Sequence, residues 1–110
     1  MQAQASKVED FDKLLLEAID QGLSCIGEDA RKEIYYHLET DCGIPKDRIP
    51  ANIVACCLFL KSIFGESVYV LELEIMKALF AKTNRVLNWR DNEKLTLSEY
   101  VQKARGNSHK

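Results

Sequence analysis

The sequence predicts an all-α protein, a single-domain bundle of four to five helices. Three observations lead to this prediction. Apolar residues recur at helical spacing in successive segments of the chain. Only two prolines and five glycines interrupt the 110 residues, so these segments are long. With 46% apolar and 29% charged residues, the composition is that of an ordinary globular domain and not of a disordered chain.

The predicted helical domain covers residues 10–105, between a flexible N-terminus at residues 1–9 and a flexible C-terminus at residues 106–110. A chain of this length can form one core. Its longest apolar run, residues 53–60, is far shorter than the roughly 20 residues of a membrane span, and its first ten residues contain no apolar targeting segment. We therefore expect a cytoplasmic protein with no membrane association, whose four cysteines are reduced thiols.

The first two predicted helices have clear amphipathic patterns. Helix 1 is expected over residues 10–24, with Asp10 as its N-cap, and its Gly22 would allow another backbone to approach closely. Helix 2 should end at Gly43, which can adopt a left-handed conformation before Pro45 prevents continuation. The apolar stripes are Phe11, Leu14, Leu15, Ala18, Ile19 and Leu23 in helix 1, and Ala30, Ile34, Leu38 and Cys42 in helix 2.

Helix 3 is predicted from about Pro50 to Phe64 and is apolar nearly all round. Its polar side chains are Asn52, Lys61 and Ser62. Such a helix is either buried on most faces or presents an apolar patch that meets a partner. We favour a central position, with helices 3 and 4 forming the core and helices 1 and 2 packed around them.

Helix 4 is predicted over residues 67–83, with Ser67 as its cap. A strand is the alternative, because residues 71–75 alternate between apolar and acidic side chains, but Leu, Glu, Met, Lys and Ala favour a helix. The expected apolar stripe is Val68, Leu71, Ile75, Met76 and Leu79, and the expected polar side is Glu72, Glu74, Lys77 and Lys82.

The segment after helix 4 allows two interpretations. Residues 84–94 mix turn residues with apolar ones, so helix 4 either continues through Val86 or gives way to a loop. Thr96 and Glu99 then have the spacing of a capping box, which predicts a fifth helix over residues 97–105. Its apolar stripe is Leu97, Tyr100, Val101 and Ala104.

Known catalytic and metal-binding patterns do not occur in the sequence. The histidines and cysteines show no CxxC or HxxxH spacing, and His37 and Cys42 would lie on different sides of one helix. No phosphate-binding GxxxxGK or GxGxxG motif is found. Glu72 and Glu74 diverge on a helix and do not form a catalytic carboxylate pair. We therefore expect a protein that is not an enzyme and that has no cofactor and no metal site.

The net charge of −2 conceals an asymmetry along the chain. Residues 1–76 contain seven Lys or Arg and 14 Asp or Glu, whereas residues 77–110 contain eight and three. A basic C-terminal third that also carries aromatic residues can meet phosphates, so a DNA-binding regulatory protein is our alternative hypothesis. The residues that would contact nucleic acid are Lys82, Arg85, Trp89, Arg90 and Lys94.

Our leading hypothesis is a protein-interaction module that forms a homodimer or larger homo-oligomer. Helix 3 carries more apolar surface than a five-helix monomer of this size readily covers, and helix 4 competes for the same core. A surplus of apolar surface favours self-association or a groove for a partner. The predicted partner surface is Leu58, Phe59, Ile63, Phe64 and Tyr69.

Residues 10–83 also resemble a known family. The segments that carry the resemblance are FDKLLLEAID, IYYHLE, GIPKDRIP and LELEIMKAL. They are similar to small archaeal domains that act as output domains of signal-transduction proteins, the type named after ammonia-oxidising archaea. The resemblance implies a helical signalling or regulatory module that acts through a partner, and it transfers no catalytic residues.

Overall fold

The computed structural model is an all-α bundle, as the sequence predicts. It describes the backbone of residues 7–83 and 94–108 and the side chains of residues 11–82 and 94–104. The α-helices in these ranges are α1 (Lys7–Ser24), α2 (Glu28–Cys42), α3 (Ile53–Phe64), α4 (Val68–Thr83) and α5 (Leu97–Ser108). Short 3-10 turns at Lys46–Arg48, Pro50–Asn52 and Gly65–Ser67 lie between them. The choice between helix and loop after Thr83 concerns residues outside the described ranges.

The outer ends of the first and last helices extend beyond the predicted bounds. α1 begins at Lys7, so Asp10 lies inside the helix and is not its N-cap. Residues 7–9 contain no helix breaker, and acidic side chains in a first turn favour the helix dipole. α5 continues to Ser108 because Gly106 weakens a helix without ending it. Residues 7–9 and 106–108, which we assigned to the flexible termini, are therefore helical.

The predicted stop signal of α2 is confirmed. Gly43 adopts the left-handed conformation, with φ 70° and ψ 26°. The backbone N–H of Ile44 donates to the carbonyl of Leu38 at 2.9 Å, and the Ile44 side chain is buried. Pro50 begins a 3-10 turn, and α3 itself starts only at Ile53.

The central pair of the bundle is α1 and α4, not helices 3 and 4 as predicted. α1 packs along α4 more extensively than any other two elements pack. Gly22 makes this possible, because a Cβ at that position would overlap Cγ1 of Ile75 and would lie 3.5 Å from the Ile75 Cα. α3 has only 12 residues and buries one side of its surface, so it lies at the edge of the core.

The predicted apolar stripes of the longer helices form the core. Those of α4 and α5 are buried in full, and Leu14 is the one member of the α1 stripe that is only partly buried. In α2, Ile34 and Leu38 are buried while Cys42 is exposed. Glu72 is a correction, because we placed it on the polar side of helix 4 and it is 7% exposed.

The capping box at the start of α5 is confirmed. The hydroxyl of Thr96 accepts the backbone N–H of Glu99 at 3.2 Å, and the Glu99 carboxylate accepts the backbone N–H of Thr96 at 3.0 Å. A third acceptor comes from α4, since Oε1 of Glu72 accepts the backbone N–H of Leu97 at 3.0 Å. The first turn of α5 is thus capped both locally and from a distant helix.

Candidate interaction surface on α3 and α4

One side of α3 presents apolar side chains to solvent. The helix turns Ile53, Cys56, Cys57 and Leu60 inward at helical spacing. The opposite side carries Val54 and Leu58, which are 47% and 64% exposed. α3 is therefore not buried on most faces, as a central core helix would be. It has an exposed apolar patch, and the meeting of that patch with a partner remains a prediction.

The exposed apolar side of α3 continues onto α4. Tyr69, in the first turn of α4, is 49% exposed and lines the same groove as Val54 and Leu58. We call these three residues the apolar face. Ile63 and Val70, on the same two helices, are also exposed large apolar residues. Exposed apolar side chains that line one groove, as those of the apolar face do, are typical of a site of protein interaction.

The predicted partner residues divide into two groups in the structure. Leu58, Ile63 and Tyr69 are exposed and available to a partner. Phe59 and Phe64 are half-buried and pack against the core, so they contribute less accessible surface. Val54 and Val70 are exposed apolar residues that the sequence argument missed. The helical spacing of Val54 to Leu58 is the signal that could have identified Val54.

The apolar face borders a groove of about 310 Å³, which we call the Glu72 groove. One wall is α3, a second is the Gly65–Ser67 turn with the start of α4, and a third is the segment that leads into α5. Four charged residues line it, two basic and two acidic. They are Lys61, Lys94, Glu66 and Glu72. The lining is otherwise mainly apolar, as in sites that receive hydrophobic side chains.

Glu72 is the buried polar residue of this groove. Desolvation raises the pKa of its carboxyl above the usual value, and the hydrogen bond from Leu97 together with the charge of Lys61 opposes this rise only in part. Burial likewise raises the pKa of the neighbouring Cys57 thiol far above its usual value and that of Cys56 to about 12. Both thiols are therefore protonated near neutral pH and are poor nucleophiles.

A second, shallow groove of about 640 Å³ lies on the α1 side of the molecule. Its charged lining residues are Lys13, Glu17, Asp20, Lys46 and Lys82. Two of its cations are paired within the groove. Nζ of Lys82 lies 3.9 Å from Oε1 of Glu17, and Nζ of Lys46 lies 3.5 Å from Oδ1 of Asp20. The groove therefore offers little uncompensated positive charge to an anion.

Asp20 connects three elements at the edge of this second groove. Its Oδ1 accepts hydrogen bonds from Nη1 of Arg31 at 2.8 Å and from the hydroxyl of Tyr35 at 2.9 Å. Desolvation opposes the ionised form of Asp20, but these two hydrogen bonds and the charge of Lys46 outweigh it, so its pKa is below the usual value. The cluster fastens α2 and the Lys46–Arg48 turn to α1.

The described residues of the predicted nucleic-acid surface do not share one site. Lys82 lines the α1-side groove, whereas Lys94 lines the Glu72 groove. Glu72, which lines the same groove as Lys94, is separated from Lys82 by about 15 Å along the axis of α4. Arg85, Trp89 and Arg90 lie outside the described residues. Within the part of the chain that the structure describes, no cluster of three His, Cys, Asp or Glu side chains could hold a metal ion.

The apolar face belongs to a long hydrophobic helical run within the described residues. Residues 50–82 contain an 18-residue window with a mean hydropathy of 1.7, which by length and composition alone could cross a membrane. The core helices of soluble proteins also meet this criterion, but they are mostly buried, whereas 28% of this window is buried. Gly65, with φ 61° and ψ −135°, divides the run into α3 and α4, of 12 and 16 residues. Each is shorter than the roughly 20 residues that span a bilayer.

Comparison with known proteins identifies no relative of this chain: no family model matches it, and no curated protein or solved structure shows significant similarity to it.

Proposed function

We propose that the protein is a non-enzymatic interaction module that self-associates through the apolar face, and that it serves in signalling or regulation. The observation that supports this proposal most directly is the position of Leu58. This large aliphatic side chain is 64% exposed at the rim of a mainly apolar groove. The regulatory part of the proposal comes from the sequence resemblance of residues 10–83 to archaeal output domains, which no family model supports.

The occupant that we propose for the Glu72 groove is a second copy of the chain. A protruding side chain, Leu58, and a groove lie on the same face, so two copies related by a two-fold axis can each insert Leu58 into the groove of the other. Two identical surfaces carry the same net charge and repel unless that charge is close to zero. The groove lining is close to neutral, because its two basic and two acidic residues sum to zero when Glu72 is ionised and to +1 when Glu72 is protonated.

The energetics also favour association. Burying one leucine side chain contributes roughly 1.5–3 kcal/mol, and a two-fold interface buries every contact residue twice. Val54 and Tyr69 add further apolar area beside Leu58. On α3, the positions between Ile53 and Leu60 carry no charged side chain whose desolvation would oppose association.

Replacing Leu58 with lysine tests the proposal. The wild-type protein should show a concentration-dependent mass above the monomer in analytical ultracentrifugation, and Leu58→Lys should be monomeric at the same concentrations. Tyr36→Lys is a matched control, because Tyr36 is 63% exposed on α2, outside the Glu72 groove, and its replacement should leave the mass unchanged. Thermal unfolding should show both variants to be folded, since both sites face solvent.

Two results would contradict the proposal. A wild-type protein that stays monomeric up to the highest concentration at which it is soluble would exclude self-association. A Leu58→Lys variant that associates as strongly as the wild type would exclude the apolar face as the interface.

A further inference from the structure

We propose that self-association through the apolar face is linked to proton uptake by Glu72, so that the dimer becomes tighter as the pH falls. This inference rests on the proposed function and concerns the regulation of the same surface. It follows from the position of one ionisable group, which lies deep in the groove that the second copy would cover.

The geometry brings Glu72 and the apolar face together. The Glu72 side chain belongs to α4 and lines the same groove as Leu58 and Tyr69. It is 7% exposed, so what contact with water it retains is small and would be lost when the groove is covered. Its Oε1 is engaged by the backbone N–H of Leu97, which holds the carboxylate in the groove wall.

Covering the groove would desolvate this carboxylate further. Desolvation disfavours the charged form, and burial already raises the pKa of Glu72 in the single chain. If its pKa rises again on association, the dimer binds protons more tightly than the monomer does. Linkage then requires that acidification strengthens association. If association raises the pKa of Glu72 by about 1, Kd changes roughly tenfold for each Glu72 that is buried.

The other ionisable groups around Glu72 do not cancel this effect. From α3, Lys61 favours the ionised form and the protonated thiol of Cys57 carries no charge. From α5, the carboxylate of Glu99 disfavours the ionised form. Glu66 and Lys94, on the other two walls of the groove, have opposite signs. Desolvation is therefore the dominant influence on Glu72.

The test is the pH dependence of the dimer dissociation constant, measured by analytical ultracentrifugation between about pH 7.5 and about pH 5. For the wild type, Kd should fall as the pH falls. Glu72→Gln keeps a hydrogen-bond acceptor for Leu97 but cannot ionise, so its Kd should change much less over the same range. All other titratable groups, including His37, are the same in the two proteins.

Glu74→Gln provides a matched control, because Glu74 is a partly exposed acid of the same helix that does not line the Glu72 groove. This variant should keep the wild-type slope of log Kd against pH. Should Glu72→Gln fail to fold, calorimetric dilution of the wild-type dimer in two buffers of different ionisation enthalpy measures the same proton exchange without a variant. Dissociation should then release protons.

The outcomes separate this inference from the proposed function. Equal slopes for the wild type and Glu72→Gln, or the absence of proton release on dissociation, would overturn the linkage and leave self-association in place. A wild-type protein that is monomeric throughout the pH range would overturn self-association itself, and the linkage with it.

Discussion

The carboxylate of Glu72 on α4 accepts the backbone N–H of Leu97, the first residue of α5, at 3.0 Å. This hydrogen bond joins two helices across 25 positions of sequence and is buried. Buried donors and acceptors are costly to leave unpaired, so the contact helps to fix the start of α5 against α4. It also forms part of the wall of the Glu72 groove.

Removing the carboxylate of Glu72 should weaken the packing of α5 against α4. In Glu72→Leu the buried N–H of Leu97 loses its partner, and we expect the free energy of unfolding to fall by about 1–3 kcal/mol. Glu72→Gln retains an acceptor and should be destabilised much less. Chemical denaturation measures both changes, and hydrogen exchange of the Leu97 amide should be faster in Glu72→Leu. Equal stabilities of the two variants would show that the hydrogen bond is unimportant.

The stability of the single chain should depend on pH through Glu72. Its pKa in the folded protein is above the unfolded value, so the folded chain holds the proton more tightly. The resulting stabilisation is fully present below the unfolded pKa and is lost as the pH rises through the folded pKa. Relative to Glu72→Gln, the protein with Glu72 should therefore gain stability on acidification.

This comparison is best made with Leu58→Lys present in both proteins, so that self-association does not contribute to the measured stability. Urea denaturation at a series of pH values gives the difference between them. Glu74→Gln is the control, because Glu74 is a partly exposed acid of the same helix and pairs with Lys77 at 3.3 Å. The prediction would be contradicted if the difference in the free energy of unfolding between the two proteins did not vary with pH.

The contact between Gly22 and Ile75 should be sensitive to a single methyl group. Gly22→Ala gains up to about 1 kcal/mol in helix propensity, but its Cβ would overlap a buried side chain between two helices, and overpacking costs about 1–3 kcal/mol. We expect net destabilisation, seen as a lower midpoint in urea. In a double-mutant cycle, Ile75→Ala should cost less in the Gly22→Ala background than in the wild type. A more stable Gly22→Ala protein would show that the Ile75 side chain can shift to accommodate the added methyl group.

The Asp20 cluster should behave as one interacting unit. Tyr35→Phe removes the hydroxyl that donates to Asp20 and should lower the free energy of unfolding by about 0.5–1.5 kcal/mol. In an Asp20→Ala background the hydroxyl has lost this acceptor, so the same substitution should cost less. Denaturation of the four proteins in this cycle gives the coupling energy. Strictly additive effects would show that the hydrogen bond does not contribute to stability.

The parts of the fold that the sequence predicts correctly are the local ones. The capping box of Thr96 and Glu99 spans four residues, and the stop at Gly43 depends on its own backbone conformation and the residues beside it. The apolar stripes likewise follow from periodicity within each helix. The close approach at Gly22 was also expected, although Ile75 as the contacting residue was not.

The errors concern features that depend on residues far apart in the chain. An acidic residue in the middle of helix 4 normally faces water, and nothing near Glu72 in the sequence indicates that its partner is the amide of Leu97. α3 was assigned to the centre because its side chains from Ile53 to Leu60 give no polar signal for an outward side. Of the candidate surface, the exposed residues Leu58, Ile63 and Tyr69 were nonetheless identified from this surplus of apolar residues.

The double capping of α5 has a consequence for the order of folding. The Thr96 and Glu99 bonds close a short loop and can form as soon as the helix nucleates, whereas the Glu72 bond must close a loop of 25 positions. We therefore expect α5 to form its first turn early and to dock late. Thr96→Ala should then mainly slow refolding, while Glu72→Leu should mainly accelerate unfolding in stopped-flow measurements. α5 would thus be among the last helices to dock during folding and among the first to detach during unfolding.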